Sequence, residues 1–181
     1  MTAILAEDET DLLLLPPLRG GWGRRGEPLP VSISGRNARR VIFGALSLRT
    51  GHRLLLPRER QRAGDFQAFL RHVRRHYRRW PVAMVLDEDP SHTAKGSVGL
   101  AEELEIELLW LPKRAPELNP VEGLWGDGKD VVCADHQYDS IDEQVERLVA
   151  YLSGLSNRDA LQKAGVLSGD FWLKRAVSKT L

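Results

Sequence analysis

Apolar positions alternate along the first third of the chain, then recur at a helical period of about 3.6. Continuous apolar runs follow, and then further amphipathic stretches. Ala3 to Glu7 reads as a short strand with Asp8 at its carboxyl end, and Leu12 to Leu15 continues or pairs with it before Pro16-Pro17 breaks the run. Gly20-Gly21-Trp22-Gly23-Arg24-Arg25-Gly26 has the glycine density of a hairpin or an exposed loop. Val41 to Leu48 is a second strand, Arg49 to His52 a turn, and Leu54 to Leu56 a short third strand, so this part predicts an antiparallel meander.

Phe66, Phe69, Leu70, Val73, Tyr77 and Trp80 then lie on one helix face, with Asp65 placed to cap its start and Pro81 beyond its end. The opposite face carries Arg71, Arg74, Arg75, Arg78 and Arg79. Val82 to Leu86 is apolar without alternation, as expected of a central strand covered on both faces. A weaker helix interrupted by Gly96 and Gly99 spans Thr93 to Leu104, and Ile106 to Leu111 is the next buried strand. Asn119 suits a helix cap, Pro120 the first helical position, and Glu122 the third, where a glutamate can reach back to the cap's amide. Ile141 to Leu152 is an amphipathic helix after Asp139-Ser140, and a last helix begins near Asn157. Trp80, Trp110 and Trp125 are expected in the core. The order predicts an α/β (α+β) domain with a mixed sheet flanked by helices. One domain over residues 1–181 is expected, with its core at about 3–152 and a helical tail at 153–181.

Composition narrows the class. With 181 residues, 42% hydrophobic and 28% charged, the chain suits one ordinary globular core and neither a disordered nor a collagen-like protein. A single cysteine, Cys133, excludes a disulfide framework and a cysteine-built zinc site. The start has neither the basic region nor the long apolar core of a signal peptide, and no run can span a bilayer, so a reducing cytoplasm is expected. The net charge of +1 is uninformative, but its distribution is not. Nine arginines stand against Glu59 and Asp65 between Arg53 and Trp80, and seven acids against Lys95 between Met84 and Glu107. A basic block beside an acidic one fits a polyanion held next to a cation site, and equally two solvated helix faces.

Three acids stand out for their placement at element edges: Asp8, Asp87 and Glu122. A few carboxylates on rigid elements suffice to hold magnesium ions that activate a water or hydroxyl for displacement at phosphorus. Each also has a plain explanation: Asp8 as a solvated acid among Glu7, Glu9 and Asp11, Asp87 as part of an acidic turn, and Glu122 as the capping partner of Asn119.

Three blocks carry a resemblance: Glu7-Asp8-Glu9-Thr10 with the downstream Gly21-Trp22-Gly23-Arg24-Arg25-Gly26, then Leu86-Asp87-Glu88-Asp89-Pro90-Ser91-His92, and finally Leu111-Pro112 through Pro116-Glu117-Leu118-Asn119-Pro120-Val121-Glu122-Gly123-Leu124-Trp125. In this order and with 34 residues between Asp87 and Glu122, the chain resembles the catalytic domain of mariner-related bacterial insertion-sequence transposases of the DDE superfamily. The resemblance implies a ribonuclease-H-like fold, shared with retroviral integrases, with a central mixed five-stranded sheet flanked by helices. It implies that Asp8, Asp87 and Glu122 form the catalytic triad that binds two divalent metal ions, Mg2+ or Mn2+. The implied reaction is phosphodiester hydrolysis at a transposon end, followed by attack of the freed 3′-hydroxyl on target DNA.

Arg71, Arg74, Arg75, Arg78, Lys113 and Arg114 are candidate phosphate contacts, and Trp22 could stack on DNA. His92 is expected to contact the site or the DNA, or simply to start a helix, while Asn119 and Pro120 orient Glu122. The implied partners are transposon-end and target DNA, a second copy in an active homodimer, and a helix-turn-helix unit on a separate chain, because Asp8 lies so close to Met1. The implied location is the bacterial cytoplasm, at the nucleoid. Departures from the family pattern at Glu88, Gly126 and Gly128 keep two other readings open. One is a catalytically inactive remnant that binds nucleic acid or a partner, the other a ribonuclease-H-like nuclease without strand transfer.

Overall fold

The structure is a computed structural model that describes residues 2–27 and 30–178. Five strands, β1 (Ala3–Leu13), β2 (Arg39–Ser47), β3 (Arg53–Arg58), β4 (Val82–Leu86) and β5 (Ile106–Trp110), form one sheet in the order β3-β2-β1-β4-β5. β2 runs antiparallel to β1 and β3, whereas β4 is parallel to both β1 and β5.

Side chains alternate across the sheet and supply two separate cores. Leu5, Val41, Phe43, Ala45, Met84 and Leu86 face α1 (Ala63–His76) and the helix pair α2 (Pro90–Thr93) and α3 (Lys95–Glu103). Ala6, Leu12, Ile42 and Leu46 face α4 (Val121–Gly128), α5 (Ile141–Gly154) and α6 (Asn157–Lys163). A short α7 (Lys174–Ser178) closes the described chain. No helix among the described residues is long and apolar enough to cross a membrane.

Several boundaries differ from those the periodicity predicts. β1 does not stop at Glu7 but continues to Leu13, which places Asp8 in mid-strand. Polar residues are poor strand formers alone, yet β1 is the central strand. The β2 ladder holds it from Leu5↔Ser47 to Leu13↔Arg39. α1 ends at His76 rather than near Trp80, because the Arg74 guanidinium takes the carbonyls of Tyr77 (3.0 Å) and Trp80 (2.9 Å). Asp65 lies within the first turn of α1, and the cap position is Arg62, without a side-chain bond. The weak helix divides into α2 and α3 at Ala94, whose ψ of 134° is extended. Asp89 caps α2 by accepting from the Ser91 amide at 2.8 Å. Trp125 is buried at 2% exposure as expected, but Trp80 and Trp110 are 46% and 40% exposed. The first follows the early end of α1 and the second lies on the edge strand β5.

Gly44 is where the sheet admits α4. It pairs with Asp8 across the ladder, and a Cβ added there would lie 2.5 Å and 2.6 Å from two ring atoms of Trp125. Gly44→Val is therefore expected to lower the unfolding free energy by about 2–3 kcal/mol, measured by chemical denaturation, through overpacking against the indole.

Candidate active site

The parallel register of β1 and β4 ends at Ala6↔Val85, and two residues further along each chain stand Asp8 and Asp87. The sheet thus delivers both carboxylates side by side, one in mid-strand and one just beyond the strand end. Glu122 arrives from the other direction, in the first turn of α4, which packs on β1 and β2. All three line one cleft of about 330 Å³, together with Glu88, Lys113, Arg114 and Asn119.

Asn119 fixes how α4 approaches. Its side-chain amide donates to the Glu7 carbonyl of β1 at 2.8 Å, and its Oδ1 accepts from the Val121 amide at 3.2 Å. The helix starts at Val121, one residue later than predicted, with Pro120 already in helical conformation before it. The reciprocal cap is not made: the Asn119 amide donates to the Pro116 carbonyl at 2.8 Å, so the Glu122 carboxylate is not drawn back to it. Asn119→Ala removes a buried tie and the cap-like bond together. It is expected to cost about 1–2 kcal/mol of stability, read by thermal melting, and to loosen Glu122.

The electrostatics suit a cation. Burial, then repulsion from Glu122, Glu9 and Asp87, pushes the Asp8 carboxyl up to about 8. Its Oδ2 is buried with no hydrogen-bond partner. A carboxylate with an unpartnered oxygen, lining one cleft with two further carboxylates, offers the hard oxygen donors that divalent cations prefer. Glu88, the extra acid beside Asp87, is offset by an ion pair with Lys113 at 3.1 Å.

Behind Asp87 lies a second cluster, on the α1 side of the sheet. His92 is 1% exposed and packs on the Phe66 ring at 4.4 Å between centroids. Its Nδ1 contacts Asp87 Oδ1 at 3.0 Å, and its Nε2 contacts Glu9 Oε1 at 2.9 Å and Glu7 Oε2 at 3.6 Å. Burial opposes charge on the ring, but Glu7, Asp87 and Glu9 outweigh it and hold the imidazolium up to about 11. His92 lies in the short helix α2, as a helix-start histidine would, and there it is buried against Asp87, Glu9 and Glu7. Burial first, and then Glu9, raises the Glu7 carboxyl well above the usual range.

Glu7 and Glu9 are the residues that sequence reasoning passed over. A period of two places them on the sheet face opposite Asp8, and that phase was the available signal.

The candidate DNA contacts are not brought together. Lys113 and Arg114 line the cleft, and Trp22 is fully exposed in the loop between β1 and β2. The α1 arginines lie elsewhere. β3 runs parallel to β1, so α1 descends from the cleft end of the sheet and its last turns reach the far end. Arg74 is committed to the fold: besides Tyr77 and Trp80 it donates to the Glu105 carbonyl, before β5, at 2.8 Å. Arg71, Arg75 and Arg78 are exposed at that distal end.

A mixed five-stranded sheet whose first and fourth strands and one crossing helix bring three carboxylates to one cleft has the ribonuclease-H-like arrangement. The sequence matches the DDE superfamily endonuclease family over residues 3–144, and the chain belongs to that family. Among curated proteins it is similar to the insertion element IS630 uncharacterized 39 kDa protein of Shigella sonnei, 24% identical over 155 residues that cover 84% of this chain and 45% of that protein. Among solved structures it resembles the mariner Mos1 paired end complex with Mg, with a TM-score of 0.73 and 19% identity, over 98% of this chain and 55% of that one. The catalytic domain of Mos1 mariner transposase superimposes with a TM-score of 0.66 at 17% identity, over 98% and 81% of the two chains. This chain spans about half the length of the curated relative and of the Mos1 chain in the complex.

Proposed function

We propose that this chain is the catalytic domain of a transposase, which cuts DNA at transposon ends and joins the freed 3′-hydroxyl to target DNA. The convergence of Asp8, Asp87 and Glu122 in one cleft of a DDE superfamily domain carries this reading. The three carboxylates would hold two divalent ions, Mg2+ or Mn2+, which supply an activated water or hydroxyl and stabilise the leaving oxygen. Structures of the related Mos1 paired-end complex hold Mg in one case and Mn in another.

The chain's own residues divide the remaining work. Asp8 offers its unpartnered oxygen from the sheet, Asp87 faces it from β4, and Glu122 closes the cleft from α4, oriented by Asn119 and Pro120. Lys113 and Arg114 neutralise phosphates at the cleft rim, and Trp22 stacks on DNA from its loop. Arg71, Arg75 and Arg78 meet only DNA that runs past the distal end of the sheet.

A related transposase assembles with paired transposon ends, and on that model two copies of this chain act together as a homodimer on transposon-end and target DNA. End recognition is assigned to a helix-turn-helix unit, and the setting to the bacterial cytoplasm at the nucleoid.

Branched or transposon-end DNA incubated with the protein in magnesium or manganese tests this. Cleavage followed by joined product is expected. Cleavage without joining would reduce the protein to a nuclease, and no cleavage in either metal would leave a non-catalytic DNA-binding domain.

A further inference from the structure

Asp87 is the least anchored of the three carboxylates by its own strand, because β4 ends at Leu86 and the Asp87 side chain is 59% exposed. Nevertheless one of its oxygens is fully engaged. Oδ1 accepts the Asp89 amide at 3.0 Å and contacts His92 Nδ1 at 3.0 Å, while no bond within the described residues reaches Oδ2. The imidazole that makes this contact is held from behind, since its Nε2 meets Glu9 Oε1 at 2.9 Å and the Phe66 ring packs on it. Glu9 in turn is fixed on β1, one residue from Asp8 and on the opposite side of the sheet.

We propose that Glu9 and His92 form a positioning pair, in which Glu9 locks the imidazole and the imidazole locks Oδ1 of Asp87, turning Oδ2 toward the cleft. This rests on the reading of Asp87 as a metal ligand. Hydrogen-bond partners behind a ligating side chain fix its orientation, and their loss costs about 10–100-fold in metal affinity or activity. The pair also ties the β4 carboxylate to β1 through side chains, so the two aspartates are referenced to the same strand. Neither residue touches DNA or the reacting atoms.

The two nitrogens of the ring can be tested separately. The amide of His92→Asn reaches the place of Nδ1 and keeps a donor to Asp87, whereas that of His92→Gln reaches the place of Nε2 and keeps only the contact to Glu9. Both variants lose the same charge beside Glu9, so their shared structural cost appears in the melting temperature and cancels in the comparison. Titration of Mn2+, followed by calorimetry, is expected to give a half-saturating concentration within about 3-fold of wild type for His92→Asn and raised at least about 10-fold for His92→Gln.

DNA cleavage at saturating Mn2+ should fall in the same order. Glu9→Gln, which keeps an acceptor for the ring, should stay near wild type, while Glu9→Ala should follow His92→Gln. Equal behaviour of the Asn and Gln variants, or losses that merely track melting temperature, would overturn the proposal. If His92→Gln does not fold, the Glu9 pair decides on the same terms. If the wild type cuts no DNA, the proposed function fails, and the Mn2+ titration still judges the positioning pair by itself.

Discussion

Asp8→Asn is expected to melt at a higher temperature than the wild type in metal-free buffer and to cut no DNA. The side chain sits in mid-strand with Oδ2 buried and unpartnered, in the cleft that Glu122 and Asp87 also line. The folded carboxyl is raised from the ordinary 3.8 to about 8, so the fold prefers it protonated. A raised value contributes stability that is complete below the unfolded pKa and is lost as pH rises toward the folded one. Without metal, the wild type therefore loses stability between about pH 4 and pH 8 through this group. The amide carries no such dependence, and the gap between the two proteins should widen across that window. Near pH 7 the gain is up to about 4 kcal/mol, or up to about 8–16 °C in melting midpoint for a chain of this size. Thermal melts across pH check it, and a variant less stable than wild type at every pH would contradict it.

Glu122→Gln and Asp87→Asn should each reduce cleavage by at least about 1000-fold, because each withdraws a ligand from ions whose charge stabilisation is worth several kcal/mol. Their stabilities should part. Glu122 is exposed in the first turn of α4 and its carboxylate makes no bond within the described residues. The glutamine should therefore melt within about 0.5 kcal/mol of wild type. Asp87 accepts from His92, and that bond, ahead of any effect of burial, holds its carboxyl below the usual range. Asp87→Asn leaves the buried imidazolium with one fewer counter-charge and should be destabilised by about 1–3 kcal/mol. Cleavage assays beside melting curves distinguish a lost ligand from a lost fold.

Which parts were legible in the sequence follows from which physics is local. The continuous run Val82 to Leu86 marks a strand covered on both sides, and β4 is second from an edge with all five residues buried. The 3.6-residue period of Phe66, Phe69, Leu70 and Val73 marks the buried face of α1. Asn119 beside Pro120 marks the start of α4 to within one residue.

What was not legible depends on partners far away in the chain. The acidic length of β1 is a strand only because β2 completes its ladder. The tie from Asn119 to Glu7 joins residues 112 apart. Arg74 reads as one more basic side chain until the carbonyls of Tyr77, Trp80 and Glu105 are seen around it. His92 is similar. Its neighbours in sequence suggest a turn, whereas its role is set by Glu9, 83 positions earlier. Charge along the chain puts a basic block next to an acidic one, whereas the fold leaves Lys113 and Arg114 at the cleft and carries α1 toward the far end of the sheet.

The proposed function requires Asp8, Asp87 and Glu122 to bind the ions together. Calorimetric titration of Mg2+ and Mn2+ into wild type, Asp8→Asn, Asp87→Asn and Glu122→Gln tests it without DNA, with the distal Arg75→Ala as a control. Saturable binding is expected for wild type and for Arg75→Ala, weakened at least about 10-fold in each carboxylate variant. Binding that is absent from the wild type, or unchanged when any one of the three carboxylates is replaced, would contradict it.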